Sequence, residues 1–294
     1  MPDSELVRTF VDAARERHDA SARRLIVTVL GDSIVPRGGA IWLSGLIRLL
    51  DALGVQERLV RTSVQRLVAE GILDNERIGR RSRYAVTAEA GADARAADRR
   101  IYHRSTTEWS GRWTVLVAVD RIDDELVRRL GWRGLGQIRP GVVASPTVTP
   151  DVATELLDEL DARGSLVVLD ADVDDDRRLG AAAFDLSAVG DAYDQIAQWY
   201  EPLMEHLDGL DDRVAFALRT VLVDDFRRVV LRDPALPDAL LPETWPGHLA
   251  REVAAGVYRA VAAGADRFVA ATGAEDGDPL PGPAPWAQDR FVDT

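Results

Sequence analysis

The chain has 294 residues, a net charge of −13 and no cysteine. The length predicts more than one domain, and the lack of cysteine excludes disulfides and thiolate metal sites and favours a cytoplasmic protein. No apolar run is long enough to span a bilayer, and the charged N-terminal segment lacks the apolar stretch of a secretory signal, so no membrane partner is expected.

The segment from Ile41 to Thr87 carries the most informative pattern. Residues 1–20 predict a loosely docked helical extension, and residues 21–30 predict the first helix of a domain that ends at Thr87. Within the central segment, two amphipathic helical patterns are followed by a short basic hairpin. The first of these two helices is predicted to begin at Ser44, whose hydroxyl can cap it. This order is typical of a winged helix-turn-helix, a module that binds duplex DNA.

The second helix, predicted to end near residue 70, has two distinct faces. Val60, Val64 and Leu67 recur at helical spacing and are predicted to be buried. Another face carries a polar set at positions i, i+3, i+4 and i+7: Arg58, Arg61, Thr62 and Gln65. Arginine, threonine and glutamine suit base-edge and phosphate contacts in a major groove. The alternative is an ordinary solvated face, and the helix alone does not decide between the two.

The hairpin that follows favours the DNA-binding interpretation. Alternating residues on either side of Gly79 predict one strand over 72–77 and a return strand that includes Tyr84 and Val86. The turn between them is strongly basic and carries three arginines: Arg80, Arg81 and Arg83. Such a tip can contact phosphates or enter a minor groove. The two helices and the basic hairpin together are more specific than any one of them.

The negative net charge is unevenly distributed along the chain. From Ser21 to Ala85, eleven arginines stand against six acidic residues, so this segment carries +5 and the remainder carries −18. Because salt screens exposed charges beyond about 8–10 Å, the acidic remainder does not cancel the local attraction of this segment for DNA. The net charge therefore does not exclude a DNA-binding protein.

Beyond Thr87 the sequence predicts further regions. A connector helix rich in alanine and charge is followed by alternating strand and helix patterns, in which WTVLVAV and SLVVLD are strands. This order suggests a ferredoxin-like α+β domain, provided that residues 136–145 split into two strands. After a polar break at 172–178 the chain is helical, and its Pro-, Gly- and acid-rich end is predicted to be disordered.

The predicted fold class is therefore α+β multidomain. The predicted boundaries are 1–20 for the extension, 21–87 for the winged helix-turn-helix domain, 88–104 for the connector helix, 105–175 for the ferredoxin-like domain, 176–272 for a helical C-terminal domain and 273–294 for the tail.

Several stretches resemble the PaaX family of bacterial transcriptional repressors: GDSIVPRGGAIWLSGLIRLL, ERLVRTSVQRLVAEGIL, ERIGRRSRY, RWTVLVAV and LVDDFRRVVLRDPALPDALLPETWPGHLAREVAAGVYRA. The resemblance implies a repressor of phenylacetate degradation genes that responds to phenylacetyl-CoA or a related acyl-CoA thioester. It also implies that the ferredoxin-like domain dimerises. The predicted partners are therefore double-stranded operator DNA, an acyl-CoA effector and a second copy of the chain, and no cofactor is predicted.

An acyl-CoA effector requires cations for its phosphates and an apolar, aromatic pocket for its acyl end. The stretch that resembles the family's C-terminal domain offers one group: Arg227, Arg228, Arg232, Trp245 and His248. The middle segment offers a second group: Trp132, Arg133 and Arg139. Each group also has a structural interpretation, in which the arginines pair with nearby aspartates and Trp245 fills a proline-rich turn.

The sequence contains no catalytic pattern, so the chain is not predicted to be an enzyme. It lacks Gly-x-Ser-x-Gly, Walker and dinucleotide motifs, and its four histidines do not have metal-ligand spacing: His18, His103, His206 and His248. Asp120, after the WTVLVAV strand, leaves a metal-dependent nuclease as one alternative, although a loop-capping role is favoured. A partner-binding adaptor that does not bind DNA is the other alternative.

Overall fold

The computed structural model describes residues 2–17, 22–104, 109–274 and 279–292. The chain forms two compact units. Unit 1 comprises residues 1–104, 193–231 and 247–294, and unit 2 comprises residues 105–192 and 232–246. The linear boundaries predicted from the sequence do not coincide with these units, because helices from the C-terminal half pack with the N-terminal segment.

Four helices form the N-terminal part of unit 1. They are α1 (Pro2–Arg17), α2 (Ala22–Val29), α3 (Leu43–Asp51) and α4 (Glu57–Ala69), and α2 continues into a π-helical turn (Leu30–Ile34) and a 3-10 turn (Val35–Arg37). Leu46 and Val64 are fully buried, so the apolar faces of α3 and α4 meet in the core. α3 begins one residue before the predicted Ser44, because the chain passes directly from a strand into the helix.

A three-stranded antiparallel sheet belongs to the same part of unit 1. Its strands are β1 (Ala40–Trp42), β2 (Leu73–Ile78) and β3 (Arg81–Val86), in the order β1-β3-β2. β2 and β3 form the predicted hairpin, whose last residue pair is Ile78 with Arg81. The two-residue loop begins at Gly79 with a φ of 63°, a conformation that glycine adopts without strain and that tight hairpins require.

The connector helix α5 (Ala88–Tyr102) follows the hairpin. Its N-terminus is capped as its sequence suggests, since Thr87 Oγ1 accepts a hydrogen bond from the backbone N–H of Ala90 at 3.3 Å.

Unit 2 is built on a four-stranded sheet. In chain order its elements are β4 (Trp113–Ala118), α6 (Asp124–Trp132), β5 (Gly136–Arg139), β6 (Val142–Ser145), α7 (Pro150–Glu159), β7 (Leu166–Ala171) and α8 (Asp176–Ala183). The strand order is β5-β6-β4-β7 with antiparallel neighbours, and residues 136–145 form two strands as predicted. α8 was not predicted: Asp175 caps it by accepting from the N–H of Arg178 at 3.1 Å, inside the apparent polar break.

The two faces of this sheet differ in their covering. One face is buried under α6 and α7 and contributes three strand residues to the core: Leu116, Val143 and Leu166. Because side chains alternate along a strand, Val117 and its cross-strand neighbours Val142 and Val167 lie on the other face. Val167 and Leu169 are each 45% exposed. This set, called the apolar strip (Val117, Val142, Val167 and Leu169), reaches the edge strand β7.

Four helices remain: α9 (Leu186–Tyr200), α10 (Asp212–Val230), α11 (Gly247–Thr272) and α12 (Pro285–Gln288), with 3-10 turns at Glu201–His206 and Asp238–Leu240. α9, α10 and α11 are the long helices of the region that the sequence predicts to be helical after residue 178. α10 and α11 pack along each other in unit 1. In the ranges that the structure covers, no helix combines the length and apolarity needed to cross a membrane.

The N-terminal helix is packed rather than loosely docked. Val7, Val11 and Ala14 of α1 are buried, and α1 contacts α10 within unit 1. Spacings of four and three residues place these side chains on one helical face, which explains how a short, charged helix acquires an apolar contact surface.

The prediction of a disordered tail is wrong for residues 279–292. Phe291 is 1% exposed, and its ring lies edge-on to Tyr102 with centroids 5.3 Å apart. Arg290 is 4% exposed and donates to Asp98 Oδ1 at 2.5 Å and to Asp32 Oδ1 at 3.1 Å. One cation and one ring therefore anchor a segment whose composition is typical of disorder. Residues 275–278 and 293–294 of the predicted tail lie outside the described residues.

Substituting Arg290 by alanine will destabilise unit 1 by roughly 3–5 kcal/mol, because removing one member of a buried ionic group leaves its partners uncompensated. Denaturant unfolding of the whole chain measures this loss. Arg163→Ala is the control, since Arg163 pairs with Asp158 at the surface and an exposed pair contributes at most about 1 kcal/mol. Equal unfolding midpoints for the two variants would contradict the structural role of the tail.

Candidate nucleic-acid interface

The candidate interface consists of α4 and the hairpin of β2 and β3. α4 begins after Gln56, which has extended backbone, and ends where Gly71 adopts a φ of 73°. Its predicted apolar face is confirmed, since Val60, Val64 and Leu67 are all fully buried. This face packs towards α2, which leaves the polar face of α4 in solvent.

All four polar residues predicted for this face are exposed: Arg58, Arg61, Thr62 and Gln65. Arg61 Nη2 lies 2.7 Å from Glu57 Oε1, one helical turn earlier. The Thr62 hydroxyl donates to the carbonyl oxygen of Arg58 at 3.0 Å. Both contacts lie within the helix, so they orient side chains along its surface.

The Glu57–Arg61 pair is easily exchanged for another partner. Both side chains are more than half exposed, and such an i, i+4 pair contributes only about 0.3–0.5 kcal/mol. A phosphate or a guanine edge offers an arginine a bidentate partner. Arg66 is also exposed, one turn after Thr62; the sequence analysis missed it, although its i+4 spacing from Thr62 places it beside the polar face.

The hairpin presents its arginines at the tip. Arg80 occupies the second loop position, Arg81 begins β3, and both are exposed. Arg83 Nη1 lies 3.6 Å from Glu76 Oε2 on the paired strand. Because residues two apart share a strand face, Arg81 and Arg83 place their cations on the same side of the hairpin. The tip can therefore meet an anionic surface with more than one arginine.

Thr87 ties the interface to the connector helix. Its hydroxyl donates to the carbonyl oxygen of Gly71 at 2.9 Å, and its backbone N–H donates to the carbonyl oxygen of Ile72 at 3.1 Å. The same residue caps α5. The end of α4, the root of the hairpin and the start of α5 are thus hydrogen-bonded to one residue.

The first predicted effector group is divided between the two units. Arg228 and His248 belong to unit 1, whereas Arg232 and Trp245 belong to unit 2. Arg228, Arg232 and His248 are exposed, and Trp245 is buried. Within unit 1, an exposed guanidinium at Arg228 is available to an anion, whereas Trp245 of unit 2 is a core residue rather than a surface platform.

Arg227 behaves differently from its neighbour Arg228. It is half-buried, and its Nε donates to Thr28 Oγ1 at 2.9 Å while its Nη2 donates to Asp224 Oδ1 at 3.2 Å. Thr28 is itself buried and donates to the same Asp224 oxygen at 2.8 Å. Arg227 therefore faces the interior of unit 1 across from α2.

The second predicted group lies on the surface of unit 2. Trp132 is 83% exposed, and the guanidinium of Arg128 lies 5.7 Å from its ring centroid. Arg133 Nη2 lies 3.3 Å from Glu159 Oε2, and both Trp132 and Arg133 line a shallow cleft on α6. Arg139 is exposed but does not line that cleft, so the structure brings only part of this group together.

Asp120 is exposed and follows the end of β4 by two residues. Among the residues that the structure describes, no group of three or more histidines and carboxylates is arranged to hold a metal ion. His18 lies outside the described residues.

Family models identify the class of protein to which this chain belongs. The model of the PaaX-like protein matches residues 21–90, which contain the candidate interface, and the model of the PaaX-like protein C-terminal domain matches residues 184–271. The transcriptional repressor PaaX of Escherichia coli (strain K12) is 34% identical over 96% of this chain and 94% of its own length. The chain belongs to the PaaX family.

A solved structure shares the fold. It is an uncharacterized protein from Mycobacterium tuberculosis with 24% sequence identity and a TM-score of 0.50, and the match covers 75% of this chain and 90% of that chain. At this identity the likeness concerns the fold alone.

Proposed function

We propose that this chain is a sequence-specific, DNA-binding transcriptional repressor whose residues 21–87 act as a winged helix-turn-helix. The observation that carries the proposal is the exposed polar face of α4 joined through Thr87 to a hairpin with an arginine tip. The name of the Escherichia coli relative supports it. A mobility-shift assay on the DNA that flanks its own gene, at several salt concentrations, tests it; absence of duplex binding would instead favour a partner-binding adaptor.

In this proposal α4 enters the major groove. Arg61 and Gln65 contact base edges, and Arg58 and Thr62 mainly contact phosphates, because these side chains share the face opposite the buried valines. The hairpin lies against the backbone or an adjacent minor groove, where Arg80, Arg81 and Arg83 neutralise phosphates.

We further propose that the repressor binds DNA as a homodimer. A single recognition helix contacts a short DNA sequence. A second copy related by two-fold symmetry contacts the inverted repeat of that sequence, so a dimer recognises a palindrome. The β-α-β-β-α-β order of unit 2 and its antiparallel strand order support a ferredoxin-like domain. The apolar strip of that sheet is the candidate contact with the second copy, because its Val167 and Leu169 are exposed and exposed apolar side chains favour burial.

An acyl-CoA thioester, phenylacetyl-CoA or a relative of it, is the proposed signal that releases the repressor. The family resemblance supports this ligand. Among the residues that the sequence analysis names for this ligand, Arg228 of unit 1 suits an anion best, because its guanidinium is exposed. A mobility-shift assay with and without the thioester tests the release.

Alanine at Arg61 or Gln65 is expected to cost about 1–3 kcal/mol of binding to the operator, because each removes a base-edge contact. Discrimination against a changed base should also fall at one position. Titrations with operator and mismatched duplexes measure both effects. Glu89→Ala, an exposed change on α5, is the control; wild-type affinity and selectivity in both α4 variants would refute the assignment.

Replacing Arg80, Arg81 and Arg83 together by alanine is expected to weaken binding to every DNA sequence. Each phosphate contact releases about one counterion, so the slope of log K against log salt should flatten by roughly two to three units. Fluorescence titrations from low to high salt measure this slope. An unchanged slope would show that the hairpin does not touch DNA.

Leu169→Asp is expected to convert the homodimer to a monomer, because it places a charge in the centre of a buried apolar contact. Light scattering at micromolar concentration measures the mass. Val152→Asp is the matched control, since Val152 is an exposed apolar residue on α7, away from the apolar strip. A wild-type protein that is monomeric with and without DNA would overturn the proposed assembly.

A further inference from the structure

The candidate nucleic-acid interface exposes apolar side chains as well as arginines. Leu59 of α4 is 49% exposed, and Ile78 at the end of β2 is 46% exposed. Within the described residues 22–104, these are the large apolar side chains that are exposed, and both belong to the interface. Exposed apolar residues scattered singly over a surface need no explanation, but these two lie on one functional surface. The interface therefore offers apolar contact area to a ligand.

Leu59 does not belong to the core face of α4. That face is formed by Val60, Val64 and Leu67, which are fully buried. Leu59 is the third residue of α4, and each step along a helix turns the side chain by about 100°, so Leu59 points away from that face. Its place in the first turn matters, because the N-terminal residues of a recognition helix are the ones that contact base edges.

Leu59 and Arg61 lie on opposite flanks of the exposed face of α4. Residues two apart on a helix are separated by about 200°, and the exposed residues Arg58 and Thr62 lie between them. The major groove is about 12 Å wide and admits a whole helix, so both flanks adjoin base edges when α4 is inserted. Leu59 and Arg61 therefore meet different base pairs.

A leucine at this position can distinguish one base from the others. Thymine alone presents a methyl group in the major groove, and the remaining edges present hydrogen-bond donors and acceptors. Contact with the methyl group removes apolar surface from water. Against an amino group or a carbonyl oxygen, leucine displaces water and supplies no hydrogen bond, which costs free energy. Leucine therefore favours thymine both by attraction and by a penalty against the other bases.

We propose that Leu59 is a specificity-determining residue that contacts the 5-methyl group of a thymine in the operator. The inference rests on the proposed function, which places α4 in the major groove. It adds a different kind of contact, because Arg61 and Gln65 recognise base edges by hydrogen bonds whereas Leu59 does so by apolar contact. The base pair opposite Leu59 is thus thymine with adenine, in each half of a palindromic operator.

Replacing thymine by uracil isolates the methyl group. Uracil pairs with adenine as thymine does and differs from it by the absence of the 5-methyl group. The full chain is titrated with operator duplexes in which each thymine in turn is replaced by uracil. Loss of one buried methyl group is expected to weaken binding by about fourfold at one thymine of each half-site. Wild-type affinity for every uracil duplex would overturn the proposal.

Leu59→Ala is expected to weaken binding to the thymine operator by about fourfold or more. On this variant the sensitive uracil substitution should cause a further loss of less than about twofold, because both changes remove the same contact and their effects do not multiply. Alanine is the most favourable residue in a helix, and circular dichroism checks the fold. Wild-type affinity in the variant, or two losses that multiply, would contradict the assignment.

Leu59→Met tests whether an apolar side chain at this position is sufficient. Methionine is flexible and close to leucine in volume, so this variant should keep the dependence on the methyl group. A folded Leu59→Met variant that lacks this dependence would count against the apolar contact.

Leu249→Ala is the matched control for the loss of an exposed leucine. Leu249 is 45% exposed on α11, outside the candidate interface. The variant should bind the thymine and uracil duplexes as the wild type does. A loss equal to that of Leu59→Ala would show that the effect is not specific to α4, and the proposal would fail.

The salt dependence separates an apolar contact from an indirect loss of phosphate contacts. A leucine releases no counterion, so Leu59→Ala should leave the slope of log K against log salt unchanged. A flatter slope would assign the loss to displaced arginines and reject the role of Leu59.

Ile78→Ala tests where the methyl group is recognised. The minor groove presents no thymine methyl group, so any loss that this hairpin variant causes should be the same for the thymine and uracil duplexes. If Ile78→Ala instead abolishes the difference between the two duplexes, the methyl contact belongs to the hairpin and not to Leu59.

The DNA titrations also separate this proposal from the proposed function. A wild-type protein that binds its operator regardless of thymine methyl groups remains a repressor, and only the role of Leu59 is refuted. A wild-type protein that binds no duplex refutes both.

Discussion

The buried carboxylate of Asp32, in the π-helical turn after α2, joins elements from distant parts of the sequence within unit 1. Arg219 of α10 and Arg290 of the tail each approach it at 3.1 Å, and the Tyr102 hydroxyl of α5 donates to it at 2.8 Å. Burial alone would raise the pKa of Asp32, but the two guanidinium groups and the hydroxyl outweigh it and lower the pKa. The carboxylate therefore stays charged, and because a buried charge must be compensated, the elements that supply its partners have to assemble around it.

The same network reaches the sheet that carries the hairpin. Asp266 of α11 lies 2.7 Å from Arg219 and 2.7 Å from Arg37, which is buried in the turn before β1. Replacing buried ion pairs by apolar residues is often neutral or stabilising, so net stability alone does not explain a network of six charged groups: Asp32, Asp98, Asp266, Arg37, Arg219 and Arg290. Their directional contacts do restrict how α10, α11 and the tail can pack against the N-terminal helices. The orientation of the candidate interface within unit 1 is therefore set by polar geometry as well as by apolar packing.

The sequence was informative where the controlling interactions are local. The two faces of α4 and the hairpin around Gly79 follow from periodicity and turn chemistry within a few residues, so the sequence predicted correctly that Val60 and Val64 are buried and that the polar face of α4 is exposed. The prediction of disorder was wrong for residues 279–292 because the contacts that hold this segment are distant in the sequence. Asp32 and Arg290 are 258 residues apart, and a proline-rich, acidic composition does not indicate that one arginine is buried. For the same reason the sequence could not distinguish inward-facing Arg227, bonded to Thr28 199 residues away, from exposed Arg228.

The candidate interface contains its own carboxylates, and under the proposed function they affect selectivity. Glu57 pairs with Arg61, and Glu76 lies near Arg83, so these arginines must exchange a partner before they bind DNA. Breaking these ion pairs costs the same free energy for every DNA sequence, whereas only a correctly placed base edge forms a bidentate contact that compensates for it. Nearby carboxylates also repel phosphates, which lowers the non-specific part of the affinity. Specificity is the difference between the affinities for the operator and for other DNA. Acidic residues beside the arginines therefore weaken binding to all DNA but increase the preference for the operator. The charge distribution of the chain, with a basic segment at 21–85 and an acidic remainder, agrees with this effect.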